Sequence, residues 1–247
     1  MRDLIRSLFS NFGNAAAGKS HRLIELERII GTTIEDPSLF QRALRHRSML
    51  AQDQYAKYDS YERLEFLGDA VLDLIAAEIL FNRYPKKDEG FLTKIRAKLV
   101  RGETLSDLSK QLGLEDLMEI GENNSVVKVS KSILADVFES VVAAIYITKG
   151  YSIAFNFVER VYTEFIDFDD LVNTIDNYKS ALLEYTQAER LPLPYYQLIS
   201  ESGPGHNRTF EVKVLIGQDE LGTGVGKSKK KAEQLAAEVA LQSLGKS

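Results

Sequence analysis

Residues 60–80 read SYERLEFLGDAVLDLIAAEIL, a helix-length stretch that is apolar almost all the way round. Leu64, Phe66, Leu67, Ala70, Val71, Leu72, Leu74 and Ile75 leave it nearly without a polar face. A helix of that kind is expected to be buried in a core. Residues 132–150, SILADVFESVVAAIYITKG, repeat the pattern and end at Gly150. Amphipathic segments lie around these two. EDPSLFQRAL, residues 35–44, carries a helix start, with Asp36 as N-cap and Pro37 in the first helical position. FLTKIRAKLV and GETLSDLSKQLGL, residues 91–100 and 102–114, follow a break at YPKKDEG, and the second puts Leu105, Leu108 and Leu112 on one face. Ser60 is the expected cap of the 60–80 helix. Residues 21–165 therefore read as an all-α domain, preceded by a loose leader at 1–20.

Both apolar helices carry acids where none should be comfortable. Glu62, Glu65 and Asp69 are spaced i, i+3, i+7, which places them within about 60° of one another on the helix surface. Asp136 and Glu139 repeat an i, i+3 pair on the second helix, and Glu89 precedes Gly90 at the break. A buried carboxylate without a partner protonates or costs several kcal/mol. Two acidic stripes facing each other would repel unless a cation sat between them, and no basic residue lies on either stripe. Arg63 and Arg96 are the alternative partners. Oxygen-only ligands favour Mg²⁺ or Mn²⁺, and such a site points to phosphate chemistry. A di-iron carboxylate bundle needs Glu-x-x-His pairs, but Gly18, Ala43 and Gly203 stand three places before His21, His46 and His206.

The pattern changes after EFIDFDDLVNTID, residues 164–176, whose 166–176 portion is expected to be an acidic linker. NYKSALLEYTQAER reads as a helix, LPLPYYQLISES contains a strand, and TFEVKVLIG alternates with period two, with Phe210, Val212, Val214 and Ile216 on one face. A further short strand, DELGTGVGKS, leads into a closing helix, KKKAEQLAAEVALQSLG. The α-β-β-β-α order over residues 177–247 makes a small α+β domain, a three-stranded antiparallel sheet with both helices on one face.

The net charge of −5 over 247 residues argues at first against a nucleic-acid partner. The charge is unevenly placed, however. Residues 177–247 hold 9 Lys+Arg against 8 Asp+Glu, leaving 22 against 28 in the remainder, and the basic excess is local to GKSKKK, residues 226–231. Lysines at a helix N-terminus oppose the helix dipole unless an anion is bound there, which a phosphate backbone supplies. The Gly-Lys-Ser string is not a nucleotide-binding P-loop, since Leu221 stands where that motif needs glycine. No nucleotide cofactor is expected. With no cysteine there are no disulfides or thiolate zinc sites, and a reducing cytoplasm is compatible. No apolar run reaches the length of a membrane span.

YERLEFLGDAVL closely resembles the signature of the ribonuclease III family, and SILADVFESVVAAIY resembles its second acidic motif; ALRHRS and EGFLTKIRAKLV sit where the family has similar segments. In the tail, GPGH between strands and KKKAEQ opening the last helix resemble a double-stranded RNA-binding domain. The resemblance spans residues 22 to 246. It implies a metal-dependent endoribonuclease that cuts double-stranded RNA to 5′-phosphate and 3′-hydroxyl ends with short 3′ overhangs, in ribosomal and messenger precursor processing. It implies a metal centre of Glu65, Asp69, Asp136 and Glu139 holding Mg²⁺, or Mn²⁺ in its place, with Asp69 and Glu139 catalytic. Glu62 and Glu89 are implied at its edge, and Phe66 in the interface of a homodimer. Ser180 and Glu184 are implied in one RNA minor groove, Pro204 and His206 in the next, and Lys229 and Lys230 on the phosphates between, a reach that suits A-form duplex. Two positions depart from the family. Tyr61 stands where Asn is usual, which alters either the helix cap or the edge of the active site. Leu183 stands where Gln is frequent, which bears on one minor-groove hydrogen bond.

Overall fold

The computed structural model describes residues 20–51, 55, 56, 58–121, 129–175, 177–205 and 207–246. The chain divides into two compact units, residues 1–172 and 173–247. The first is helical, with α1 (His21–Ile30), α2 (Ser38–Ala43), α3 (Glu62–Arg83), α4 (Glu89–Leu99), α5 (Gly102–Leu112), α6 (Lys131–Lys149), α7 (Tyr151–Phe165) and α8 (Phe168–Asn173), and short 3₁₀ turns at Arg47–Ala51 and Leu114–Leu117. Of the expected leader, residues 1–19 lie outside the described residues, while Ser20 caps α1 by accepting from the Leu23 N–H.

At the centre of this unit is α6. Val137, Phe138, Val141, Val142, Ala143, Ala144 and Ile145 are all shut away from solvent, as an all-apolar helix must be. Its Ser140 is satisfied within the core, its hydroxyl donating to the carbonyls of Ala43 and Val137 at 2.7 and 2.8 Å. Phe138 stacks on Phe157 of α7, ring centroids 6.1 Å apart; truncating a ring so enclosed costs about 3–5 kcal/mol. Helix α3 packs against α6 and α4, and α5 also lies on α6. Gly150, at φ 83°, ends α6 at once and α7 starts in the next residue.

Unlike α6, α3 is not buried all round. Val71, Leu72, Ile75, Ala76, Ile79 and Leu80 face the core, but Phe66 is 83% exposed, Leu74 57% and Phe81 70%. Apolar residues thus serve two faces of one helix, and the outer one meets solvent. The expected caps also move. Pro37, not Asp36, is the cap residue of α2, although the Asp36 carboxylate still accepts from the Ser38 N–H at 2.9 Å. Tyr61 rather than Ser60 occupies the cap position of α3, and it caps with no side-chain hydrogen bond. Ser60 is buried and donates its hydroxyl to Glu62 at 3.3 Å.

The acidic stretch at 166–176 is not a linker over its whole length. Asp167 accepts from the N–H groups of Asp169 and Asp170 at 2.9 and 3.0 Å, and those acids favour the N-terminal turn that becomes α8. Phe168 is buried with the Arg83 guanidinium 4.1 Å over its ring, and Lys98 Nζ donates to the Leu171 carbonyl at 2.7 Å. Helix α8 is thereby part of the first unit through Val172.

The second unit holds α9 (Tyr178–Ala188), β1 (Pro194–Ser202), β2 (Thr209–Ile216), β3 (Asp219–Gly226) and α10 (Lys229–Ser243), with an antiparallel sheet in the order β1-β2-β3. Val212, Val214 and Ile216 point inward as their spacing predicts, and Val214 and Ile216 share a core with Leu182 of α9 and Ala236, Ala240 and Leu241 of α10. The β2–β3 hairpin turns through Gly217 at φ 66°, where a side chain is disfavoured. Glycines 222, 224 and 226 also face inward. A carbon added to Gly224 would lie 2.3 Å from the Ala232 carbonyl oxygen and from the Ala236 nitrogen, and one on Gly222 would lie 2.4 Å from the Ala236 oxygen. Alanines at 232, 236 and 240 meet these glycines, so α10 rests on β3 backbone to backbone.

Candidate active site

The same kind of close fit brings the two acidic stripes together. Gly68 of α3 lies against the backbone of Glu139 in α6, so Glu65, one turn before Gly68, and Asp69, the residue after it, stand opposite Asp136 and Glu139. Glu65, Asp136 and Glu139 are half-buried and Asp69 is exposed. Burial first, then the charges of Asp69, Asp136, Glu65 and Asp73, push Glu139 up to about 8. Burial and the charges of Asp136, Glu62 and Asp69 raise Glu65, and burial raises Asp136. The side chains thus feel one another as like charges in a poorly solvated place. Among the described residues no ion pair reaches any of the four. Arg96 lies 3.8 Å from Asp73 instead, and Arg47 lies 3.9 Å from Glu62.

Local contacts fix where this group begins. Arg42 Nε, just before the ALRHRS segment, and Arg45 within it donate to the carbonyls of Ser60 and Asp59 at 3.4 and 3.3 Å, and the Tyr61 N–H donates to the Arg45 carbonyl at 3.1 Å. Tyr61 is 4% exposed, and its phenol oxygen lies 3.5 Å from Asp136 Oδ2. Tyr61 thus stands at the cap position of α3, and its ring also borders the carboxylates. On the other side, Tyr162 is fully buried with a hydroxyl that has no hydrogen-bond partner among the described residues, and burial, then Asp73 and Glu139, raise its pKa.

Glu62 is exposed at the rim of the group and its charge bears on Glu65 and Asp136. Glu89 does not join them. It sits in the first turn of α4, accepts from the Thr93 hydroxyl at 3.0 Å, and lines a groove of about 450 Å³ between α3 and α4 with Leu74, Phe81 and Leu92. Phe66 stands on the exposed side of α3 beside the acids.

Among the described residues no group of three or more His, Asp or Glu side chains is drawn together tightly enough to hold an ion as it stands. The chemistry of the donors nonetheless fits a hard divalent cation: carboxylate oxygens alone, without a competing ammonium or guanidinium, and with a raised Glu139 that a cation would return to its ionised form.

In the second unit, Ser180 and Glu184 stand one turn apart on α9, where the Asn177 side chain accepts from the Ser180 N–H at 3.2 Å. Leu183 beside them is 39% exposed. Pro204 is exposed in the β1–β2 loop, its carbonyl accepting from the Asn207 N–H at 2.8 Å; His206 lies outside the described residues. Lys229 and Lys230 are exposed in the first turn of α10, which Ser228 caps by accepting from the Lys231 N–H at 3.2 Å. Lys227 is used locally, donating to Asn207 and Thr209 at 2.7 and 3.3 Å.

Residues 36–165 match the family model described as Ribonuclease-III-like, and residues 178–244 match that of the double-stranded RNA binding motif. The chain belongs to the ribonuclease III family. It is 39% identical to Ribonuclease 3 of Chlorobium chlorochromatii, over 89% of this chain and 90% of that protein. Ribonuclease 3 of a Sulfurovum species is 40% identical over 90% and 98%. A solved structure of the nuclease domain of ribonuclease III from Campylobacter jejuni, which concerns flexibility in a region involved in dimer formation, is similar with a TM-score of 0.51 and 35% identity. It covers 57% of this chain and 96% of its own. As a member of the ribonuclease III family the protein is an endoribonuclease, and no helix among its described residues is long and apolar enough to cross a membrane.

Proposed function

We propose that the protein hydrolyses phosphodiester bonds in double-stranded RNA at the carboxylate group of α3 and α6, with Mg²⁺ or Mn²⁺, leaving 5′-phosphate and 3′-hydroxyl ends with short 3′ overhangs. The observation that carries this reading is the meeting of Glu65, Asp69, Asp136 and Glu139 without a basic partner, with Glu139 pushed up to about 8. Bound metal would supply an activated water and a positive charge for the phosphate oxygens. Glu65, Asp69, Asp136 and Glu139 would hold it, and Asp69 and Glu139 are the catalytic pair. Glu62 lies at the edge, where an exposed carboxylate can orient water or meet RNA. Glu89 is part of the site only if RNA or a second protomer brings it near.

The second unit supplies affinity. Ser180 and Glu184 take one minor groove, Pro204 and His206 the next, and Lys229 and Lys230 the phosphates between. The protein acts as a homodimer through the outer face of α3, where Phe66, Leu74 and Phe81 are too exposed for a surface without a partner. Precursors of ribosomal and messenger RNA in the cytoplasm are the natural substrates. Residues 21–165 carry the chemistry and 177–247 the binding.

The test is cleavage of end-labelled duplex RNA with Mg²⁺ and with EDTA. Cleavage in Mg²⁺ that EDTA and Glu139→Gln both abolish supports the reading. Full cleavage by Glu139→Gln would overturn the site, and duplex binding without cleavage under every condition would make the protein a binder alone.

A further inference from the structure

We propose that Tyr61 is a positioning residue for Asp136: its phenol hydroxyl donates to Asp136 Oδ2 and keeps that carboxylate turned into the group formed with Glu65, Asp69 and Glu139. The proposal rests on the metal-centre reading above and adds a residue to it.

The backbone of Tyr61 is tied on both sides. Its N–H donates to the Arg45 carbonyl at 3.1 Å, and its own carbonyl accepts from Leu64 and Glu65 at 2.8 and 2.9 Å, opening α3. Its ring lies tilted against His46, centroids 6.1 Å apart, and the side chain is buried. So anchored, the hydroxyl crosses from the start of α3 to α6 and ends 3.5 Å from Asp136 Oδ2, aimed at that oxygen and longer than the usual length, about 2.5–3.0 Å, of a hydroxyl–oxygen bond. Among the described residues no other side chain donates to Asp136.

The type of donor matters. Asp136 stands among acids, near Glu62, Glu65 and Glu139. An arginine or lysine in this place would hold it but would also neutralise the charge a cation needs. A phenol is a neutral donor that occupies one lone pair of one oxygen and leaves the rest of the carboxylate free. Tyr61 thus links the residue that opens α3 to the second acidic motif on α6. Residues that orient a metal ligand in this way typically alter metal affinity about 10- to 100-fold when removed.

The experiment measures Mn²⁺ binding to the full chain without RNA, by electron paramagnetic resonance of free Mn²⁺, for the parent, Tyr61→Phe and Glu139→Gln. Tyr61→Phe keeps the ring and removes only the hydroxyl. Its Mn²⁺ dissociation constant should rise about tenfold or more. In cleavage assays the Mn²⁺ needed for half-maximal rate should rise in step, with the KM for RNA unchanged and the rate recovered at saturating Mn²⁺. A Tyr61→Phe protein that binds Mn²⁺ as tightly as the parent, while Glu139→Gln does not, overturns the assignment of Tyr61 alone. A parent that binds no Mn²⁺, or that binds it equally well after Glu139→Gln, overturns the metal centre and the assignment with it.

Discussion

A carbon atom added to Gly68 would lie 1.9 Å from the carbonyl oxygen of Glu139. No side chain fits there, so the contact between α3 and α6 exists only because residue 68 is glycine. Gly68→Ala should therefore force the helices apart and cost about 1–3 kcal/mol or more, as overpacking does, while separating the two acid pairs. Thermal unfolding should show a lowered midpoint, and cleavage should be lost below it. Gly90→Ala is the control: the nearest atom to an added carbon there is a side-chain oxygen of Asp88 at 3.7 Å, and the exchange should be neutral or slightly stabilising.

Glu139 makes stability depend on pH in an unusual direction. Its pKa in the folded chain is about 8, against an ordinary 4.5. Between those values the folded state holds a proton that the unfolded state has released, so stability falls as pH rises from about 4.5 to 8. Without added metal, the melting midpoint of the first unit should drop across this window. Glu139→Gln should flatten the drop, and so should Mg²⁺, which binds the ionised form. A midpoint in the parent that is level from pH 5 to 8 would contradict the raised carboxylate.

Phe66 is too exposed to contribute much to the fold of one chain, so Phe66→Ala should leave the monomer's unfolding midpoint nearly unchanged. Self-association should weaken by about 2 kcal/mol or more if the ring is a central anchor, roughly 30-fold in dissociation constant. Sedimentation across micromolar concentrations reads this directly. A parent protein that is monomeric throughout removes α3's outer face as an interface.

The double variant Lys229→Ala, Lys230→Ala removes two charges from the first turn of α10 without touching Ser228, which caps it. Binding to duplex RNA should weaken for all sequences alike, and the slope of log affinity against log salt should flatten by roughly one to two units. Asp69→Ala should leave binding and slope intact and abolish cleavage at every salt concentration. An unchanged slope in the lysine variant would make these residues a solvated surface.

What could be read from the sequence was whatever breaks a pattern. Carboxylates on apolar helices stand out because water should have kept them, and so two acidic stripes, Glu62, Glu65 and Asp69 on one helix and Asp136 and Glu139 on the other, were legible in the sequence as facing each other; the choice of four of them as a metal centre came only from the family resemblance. Alternation in β2 and the α-β-β-β-α order were legible for the same reason. Three things were hidden. Helix α8 was masked by its own acids, which read as linker although Asp169 and Asp170 sit where a helix dipole favours them. The two-faced use of α3 was announced only at Phe66, by the family resemblance, and was masked at Leu74 and Phe81, which look no different in a string from Leu72 and Leu80; burial is a property of the neighbours. The closeness at Gly68 was silent, since a glycine inside a helix announces a cost and not the backbone that needs the space.

The seating of α10 on β3 has a consequence for evolution as much as for binding. Gly222, Gly224 and Gly226 touch the helix at its backbone, so along β3 the joint offers little side-chain volume that could drift by a methyl group at a time. The height of α10 above the sheet, and with it the distance from Lys229 to the loop at Pro204, is set like the opening of a fixed-jaw gauge. Exchanges on the outer surface can strengthen or weaken the grip on a duplex, but the width being gauged changes only if the joint itself is rebuilt.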